Sequence, residues 1–224
     1  MEKLSFYEQV GIVIPGSVFL FVVMFYVQEL KDIFSKDGFS VGGLGIFVII
    51  SYAIGHLLAA LGKIIEKFYW KLNGGIPSNW ILGSKPRLLY KEQIAKVEAL
   101  TVTRLGFTLP PFAELPEKDW FPIFRQIYSD IEKNGKSNRA DIFNGNYGLN
   151  RGLSAASLSL SFAILIHSTN QWIVSLVLLG ISFVYIYRMN TFGQTYAREV
   201  YTQFLLLPPE PSNKKYNKEK SDSE

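Results

Sequence analysis

Hydrophobic positions in this chain gather into four blocks free of Asp, Glu, Lys and Arg: Val10 to Val27, Val41 to Gly62, Gly152 to Ile166 and Trp172 to Tyr187. A helix needs roughly 20 apolar residues to cross a ~30 Å hydrocarbon layer. The second block, VGGLGIFVIISYAIGHLLAALG, meets that length by itself. The last two reach about 17 residues each, the low end of the workable range, once part of the neutral HSTNQ connector is counted. The pattern predicts an all-α membrane protein with four transmembrane helices and a mainly helical cytoplasmic insert between the second and third. For the last pair, a buried helical hairpin of a soluble domain is the alternative.

Polar positions set the rest of the layout. After the second block KIIEKFYWKL keeps helical spacing, with Ile64, Ile65, Phe68 and Leu72 on one side and Lys63, Lys67 and Lys71 on another, until Asn73-Gly74-Gly75-Ile76-Pro77 ends it. Lys85 to Thr101 reads as an amphipathic helix. Pro110, Pro111 and Pro116 interrupt the chain before a helix over Glu117 to Lys133, in which Pro122 is tolerable only because it falls in the first turns. Ser137 can cap a further helix, Asn138 to Asn150, that leads into the third span. Beyond the fourth span the periodicity continues through Phe192, Tyr196, Val200 and Phe204 to Pro208-Pro209, as a cytoplasmic stalk, and a disordered charged tail follows.

These boundaries divide the chain into an N-terminal transmembrane hairpin (1–62, spans about 10–27 and 41–62), an insert (63–151), a C-terminal hairpin (152–187), a helical extension (188–207) and a tail (208–224). An insert of that size is marginal as an independent core. It is expected to pack on itself and on the cytoplasmic ends of spans two and three. Residues Glu2 to Gln9 are expected at the interface, with Phe6 and Tyr7 as aromatic anchors, and the first block is expected to stay as an anchor because no cleavage site follows it.

Charge changes the picture through its placement. The net charge is +4, but Lys63, Lys67 and Lys71 crowd one membrane exit, Arg151 another, and Arg188 and Arg198 follow the fourth span. By contrast, Lys31 and Lys36 in the first loop are offset by Glu29, Asp32 and Asp37. The positive-inside rule then puts both termini and the insert of this multi-pass chain in the cytoplasm.

Small and polar residues within the spans are the candidates for packing or gating. Ser51, Gly55 and Ala59 recur every fourth residue, as do Ala155, Ser159 and Ala163, and the two stripes are expected to cross each other closely. Ser154, Ser157 and Ser161 either back-bond within their helix or bond across it. Pro15-Gly16 predicts a bend that is structural or, as in some transporters, marks a pathway. His56, one turn after Tyr52, is costly in lipid unless it faces protein or water. Both are expected to line the bundle interior, either as a pH-sensitive gate or as a satisfied interhelical hydrogen bond.

Catalytic material is sparse. The chain has no cysteine and two histidines, His56 and His167, so thiolate chemistry is excluded and no metal-ligand set is evident. No G-x-S-x-G turn or phosphate-binding glycine loop occurs, and no Asp or Glu lies in a span. No enzyme, cofactor or metal is expected. Arg139, Phe143, Tyr147 and Arg151 recur every four residues on one helix face and read either as a stacking surface for a nucleotide or as a core stripe edged by arginines, direct nucleic-acid binding being disfavoured.

The layout, together with the phrase SYAIGHLLAALGKIIEKFYW (Ser51 to Trp70), resembles the small membrane effectors of bacterial anti-phage systems, among them the transmembrane proteins of some retrons. The resemblance implies a non-enzymatic inner-membrane effector that disrupts the bilayer when a cytoplasmic sensor releases it. Its implied partners are the bilayer, further copies of itself and a cytoplasmic protein or ribonucleoprotein regulator. A constitutive channel or transporter built around Pro15-Gly16 and His56, or a scaffold for a soluble complex, is the alternative.

Overall fold

The computed structural model describes residues 6–27, 30, 41–83, 86–107 and 109–207. Of the segment predicted at the interface, Glu2 to Gln9, the part before residue 6 and the side chains of residues 6–9 lie outside them, as do most of the first loop and the tail predicted over 208–224. The described residues are helical, without a strand among them. They form α1 (Phe6–Met24), α2 (Val41–Leu72), α3 (Lys91–Leu105), α4 (Glu117–Lys133), α5 (Asn138–His167) and α6 (Trp172–Leu205), with short 3-10 turns at Pro77–Asn79 and Thr169–Gln171. Three of these, α2, α5 and α6, are long and apolar enough to cross a membrane, while the apolar part of α1, Val10–Met24, is shorter.

The chain divides into two compact units. The first holds residues up to 78 and 138–197, and the second holds 79–137 and the chain from 198 onward. In the first unit α1 packs against both α2 and α5, and α2 also packs against α5. Leu20 and Met24 form one buried cluster with Phe47, Ile50 and Ile54. Leu58, Ala155 and Ala156 form a second with Phe19, Ile54 and Ile65.

Burial is uneven, and it follows composition. The most apolar stretch of α5 is 56% buried, against 17% for α2 and for α6. That is why α5 carries Gly152, Ser154, Ala155, Ala156 and Ser157 where α2 and α6 carry large side chains: a helix surrounded by others must be thin. The outward faces of α2 and α6 leave Ile49, Leu57, Leu61, Ile64, Val177 and Phe183 exposed. Contiguous apolar surface on this scale marks contact with lipid or protein rather than water.

In the second unit the insert is completed by the end of α6. Val200, Tyr201, Phe204 and Leu207 are buried, and Tyr201 packs with Trp120 and Phe124 at ring separations of 6.4 and 5.5 Å. The indole N–H of Trp120 donates to the Tyr201 hydroxyl at 3.0 Å, and Phe112 packs edge-on to Trp120 at 4.8 Å. Arg104 and Asp130 form a two-pronged ion pair at 2.8 and 3.1 Å that ties α3 to α4. The predicted stalk over 188–207 therefore splits between units, its last turns supplying the aromatic core that a marginal insert lacks.

Helix α4 has the predicted bounds. Helix α3 starts at Lys91, later than the spacing predicts, because Tyr90 is held extended and its N–H is capped by the Gln93 side chain at 3.1 Å. It runs on past Thr101 to Gly106, whose φ of 71° gives the left-handed stop that glycine adopts freely.

Candidate functional site

The membrane-type helices meet through backbone. A β-carbon built on Gly16 would fall 1.8 Å from the Ser51 carbonyl oxygen, and one on Gly55 would fall 2.1 Å from the Ile12 carbonyl oxygen. Pro15 is fully buried, and a β-carbon on Gly152 of α5 would lie 2.7 Å from its ring. Proline at position 15 has no N–H for the Gly11 carbonyl four residues back. That carbonyl faces Gly152, 3.4 Å from where a β-carbon would stand. Pro15-Gly16 thus serves as a contact site for two neighbours within a helix that runs unbroken from Phe6 to Met24.

This arrangement corrects the expected crossing of stripes. Ser51 and Gly55 are taken up by α1, and not by Ala155, Ser159 and Ala163. Ala155 packs against Leu58, Ser159 is half-buried and Ala163 is exposed, lining a cavity of about 190 Å³ with Val23, Tyr26, Leu160, Ile164 and His167. Ala59 is half-buried. Spacing reveals that a helix allows close approach, but any neighbour with small residues can use it. Among the described residues the fully buried Ser51 hydroxyl has no hydrogen-bond partner.

Helices α5 and α6 are joined by a buried serine ladder. Ser161 donates to the Ser175 carbonyl and Ser175 to the Ser161 carbonyl, both at 2.8 Å. Ser182 donates to the Ser154 carbonyl at 3.0 Å. From one rung to the next, α5 steps back seven residues and α6 forward seven, as antiparallel helices require. Ser154 itself back-bonds to the Arg151 carbonyl at 2.7 Å, so the two expected serine habits occur side by side. Sequence reading passed over Ser175 and Ser182; their spacing, equal to that of Ser154 and Ser161, was the available signal.

At the end of the charge-free run in α5 lies a polar cluster. The Trp70 indole donates to the Tyr147 hydroxyl at 2.8 Å, Tyr147 hydrogen-bonds Glu66, and Glu66 pairs with Arg151. Burial, and then the neighbouring Glu66 carboxylate, push the Tyr147 phenol well above its usual range, so it stays a neutral donor and acceptor. Gly193 makes room for this: a β-carbon there would sit 3.0 Å from the Tyr147 ring and 3.1 Å from Trp70. Alongside, Arg188 donates to the buried Asn150 at 3.2 Å. Of the predicted basic and aromatic face, Tyr147 and Arg151 are gathered here, Phe143 is half-buried and Arg139 is exposed. Glu66 and Trp70 were missed as partners, although Glu66 is the one acid in a basic stretch and Trp70 follows it by one turn.

Tyr52 and His56 do not line the interior formed by α1, α2 and α5; both are exposed on the outward face of α2. Their rings pack edge to face at 4.6 Å. Among the described residues neither side chain has a hydrogen-bond partner. Gly45 and Ala53 are exposed on the same helix, and a β-carbon on Gly45 would meet nothing within 4 Å.

Among the described residues no group of three or more His, Cys, Asp or Glu side chains is placed to hold a metal. Comparison of the chain with protein-family models, curated proteins and solved structures finds no match.

Proposed function

We propose that this protein is a non-enzymatic effector of a bacterial inner membrane, in which four apolar helices, the first of them short, span the bilayer and copies associate through the outward face of α2. The observation that carries the reading is His56. It stands seven positions from Lys63, about 10 Å along the helix, within a charge-free run, with a donor and an acceptor and, among the described residues, no hydrogen-bond partner. A polar ring facing hydrocarbon is unfavourable. A second copy relieves this, because one imidazole donates where the other accepts, and the exposed Gly45 and Ala53 let the helices approach.

Two further features support a membrane setting. The Arg151 and His167 ends of the α5 run are sixteen positions apart, about 24 Å of helix, which suits a bilayer somewhat thinned around the protein. At its far end Tyr26 donates to Gln171 at 2.8 Å, a polar tip of the kind found at headgroup level. With the basic exits on the cytoplasmic side, the insert faces the cytoplasm, where a protein or ribonucleoprotein regulator holds the effector silent until infection releases it. Both that trigger and the anti-phage role follow the resemblance in Ser51 to Trp70. Induced expression, with and without the neighbouring genes, tests the reading: collapse of membrane potential in the unregulated case is expected, and an unchanged potential in both cases refutes it.

A further inference from the structure

Past its charge-free run, α2 carries two parallel stripes on its outward side. At about 100° per residue, Lys63, Lys67 and Lys71 occupy one sector of the helix surface, and Ile64, Phe68 and Leu72 occupy the sector beside it. All six side chains are exposed. The apolar stripe continues back into the charge-free run through Leu61 and Leu57, which are exposed as well. Glu66 is the one acidic residue of α2, and it is engaged on another side by Arg151 of α5. Among the described residues none of the three lysine ammonium groups has an ion-pair or hydrogen-bond partner. Three like charges one turn apart oppose the helix that holds them, and an anion beside them removes that repulsion.

We infer that this face of α2 binds anionic lipid, with headgroup phosphates on Lys63, Lys67 and Lys71 and acyl chains along Ile64, Leu61 and Leu57. The two stripes touch, so a lipid whose chains rest on the apolar side chains carries its phosphate to the lysines. Long lysine stems lie over apolar surface and lift the charge to headgroup level, and an ammonium group grips phosphate as a point charge without demanding one fixed geometry. Juxtamembrane lysines of this kind are drawn to anionic lipid. The two arginines of the adjoining polar cluster are already committed, Arg151 to Glu66 and Arg188 to Asn150, which leaves the lysine stripe as the uncommitted charge on α2. The inference rests on the membrane setting proposed above and is independent of how copies associate.

The experiment is fluorescence quenching of the full chain in phosphatidylcholine vesicles containing a minor fraction of phosphatidylglycerol, with bromine on the acyl chains of one lipid or the other. Because the chain has no cysteine, a fluorophore on Ile64→Cys reports the lipid beside the lysines. One on Ile173→Cys, exposed near the start of α6, reports the far end of the same unit. At Ile64→Cys brominated phosphatidylglycerol is expected to be enriched by about fivefold over its share of the membrane. The enrichment should vanish in Lys63→Gln/Lys67→Gln/Lys71→Gln and persist in Lys63→Arg/Lys67→Arg/Lys71→Arg. At Ile173→Cys none is expected. Quenching without enrichment at Ile64→Cys, enrichment that survives the glutamine variant, or equal enrichment at both positions overturns the inference while leaving the helices in the bilayer. No quenching by either lipid at either position overturns the membrane setting as well. Glycerol phosphate added at constant ionic strength should leave the enrichment unchanged, and its loss would assign the lysines to a soluble anion and overturn the lipid site.

Discussion

Gly16 of α1 and Ser51 of α2 meet main chain to main chain, with 1.8 Å between the position of an added β-carbon and the Ser51 carbonyl oxygen. No side chain can turn aside to admit a methyl group there. Gly16→Ala is therefore expected to destabilise the bundle by at least the ~1–3 kcal/mol typical of overpacking, and Gly55→Ala similarly. Gly45→Ala, with open space around it, should change little. Thermal unfolding of the three variants in detergent checks the contrast, and equal stability of all three would contradict the crossing.

The serine ladder is a pairwise interaction and calls for a pairwise measurement. A double-mutant cycle on Ser161→Ala and Ser175→Ala should give a coupling of about 0.6 kcal/mol, and no more than about 2, the range seen for hydrogen bonds between membrane helices. Unfolding in mixed micelles reads it. Zero coupling would mean that the hydroxyls find other partners at no loss.

Glu66→Gln leaves the Arg151 guanidinium without its counter-charge beside Tyr147. Because the pair is about one-fifth exposed, the expected cost is about 1–3 kcal/mol, below that of a fully buried pair. Tyr147→Phe removes the link between Trp70 and Glu66 and should cost about 1 kcal/mol. Denaturation midpoints of the two variants, with Arg139→Gln as an exposed comparison, provide the check.

Tyr201→Phe deprives the buried Trp120 indole of its acceptor, a loss of about 1–3 kcal/mol. Deleting residues 198–224 goes further and strips the insert unit of Tyr201 and Phe204. Limited proteolysis should then cut within residues 79–137 much faster than in the full chain, whereas an insert that folds without α6 would resist equally.

The absence of native cysteine makes single-cysteine reporters unambiguous for self-association. Ala53→Cys, on the His56 side of α2, is expected to form a disulfide between copies in the membrane, and Ser51→Cys, buried under α1, is not. His56→Leu should abolish the first cross-link. Cross-linking from position 51 alone would move the interface elsewhere.

Much of the helix layout was legible in the sequence, because it is written in run length and punctuation. Prolines and glycines bracket α4, the charge-free run defines the core of α2, and periodicity carries α6 through to Leu205. The choice of partner was not legible. Ser51 and Gly55 announce a close approach, yet Pro15-Gly16, read as a bend, turned out to be the complementary surface. His56 follows Gly55 by one residue, a turn of about 100° around the helix, so a buried Gly55 already implied that His56 points elsewhere. The division of α6 between two units had no local mark, since its apolar spacing crosses residue 198 without a break.

In the serine ladder Ser161, Ser175 and Ser182 each donate to a carbonyl of the facing helix. Parting α5 from α6 along that seam would break these bonds together, so the two helices are expected to move as one body.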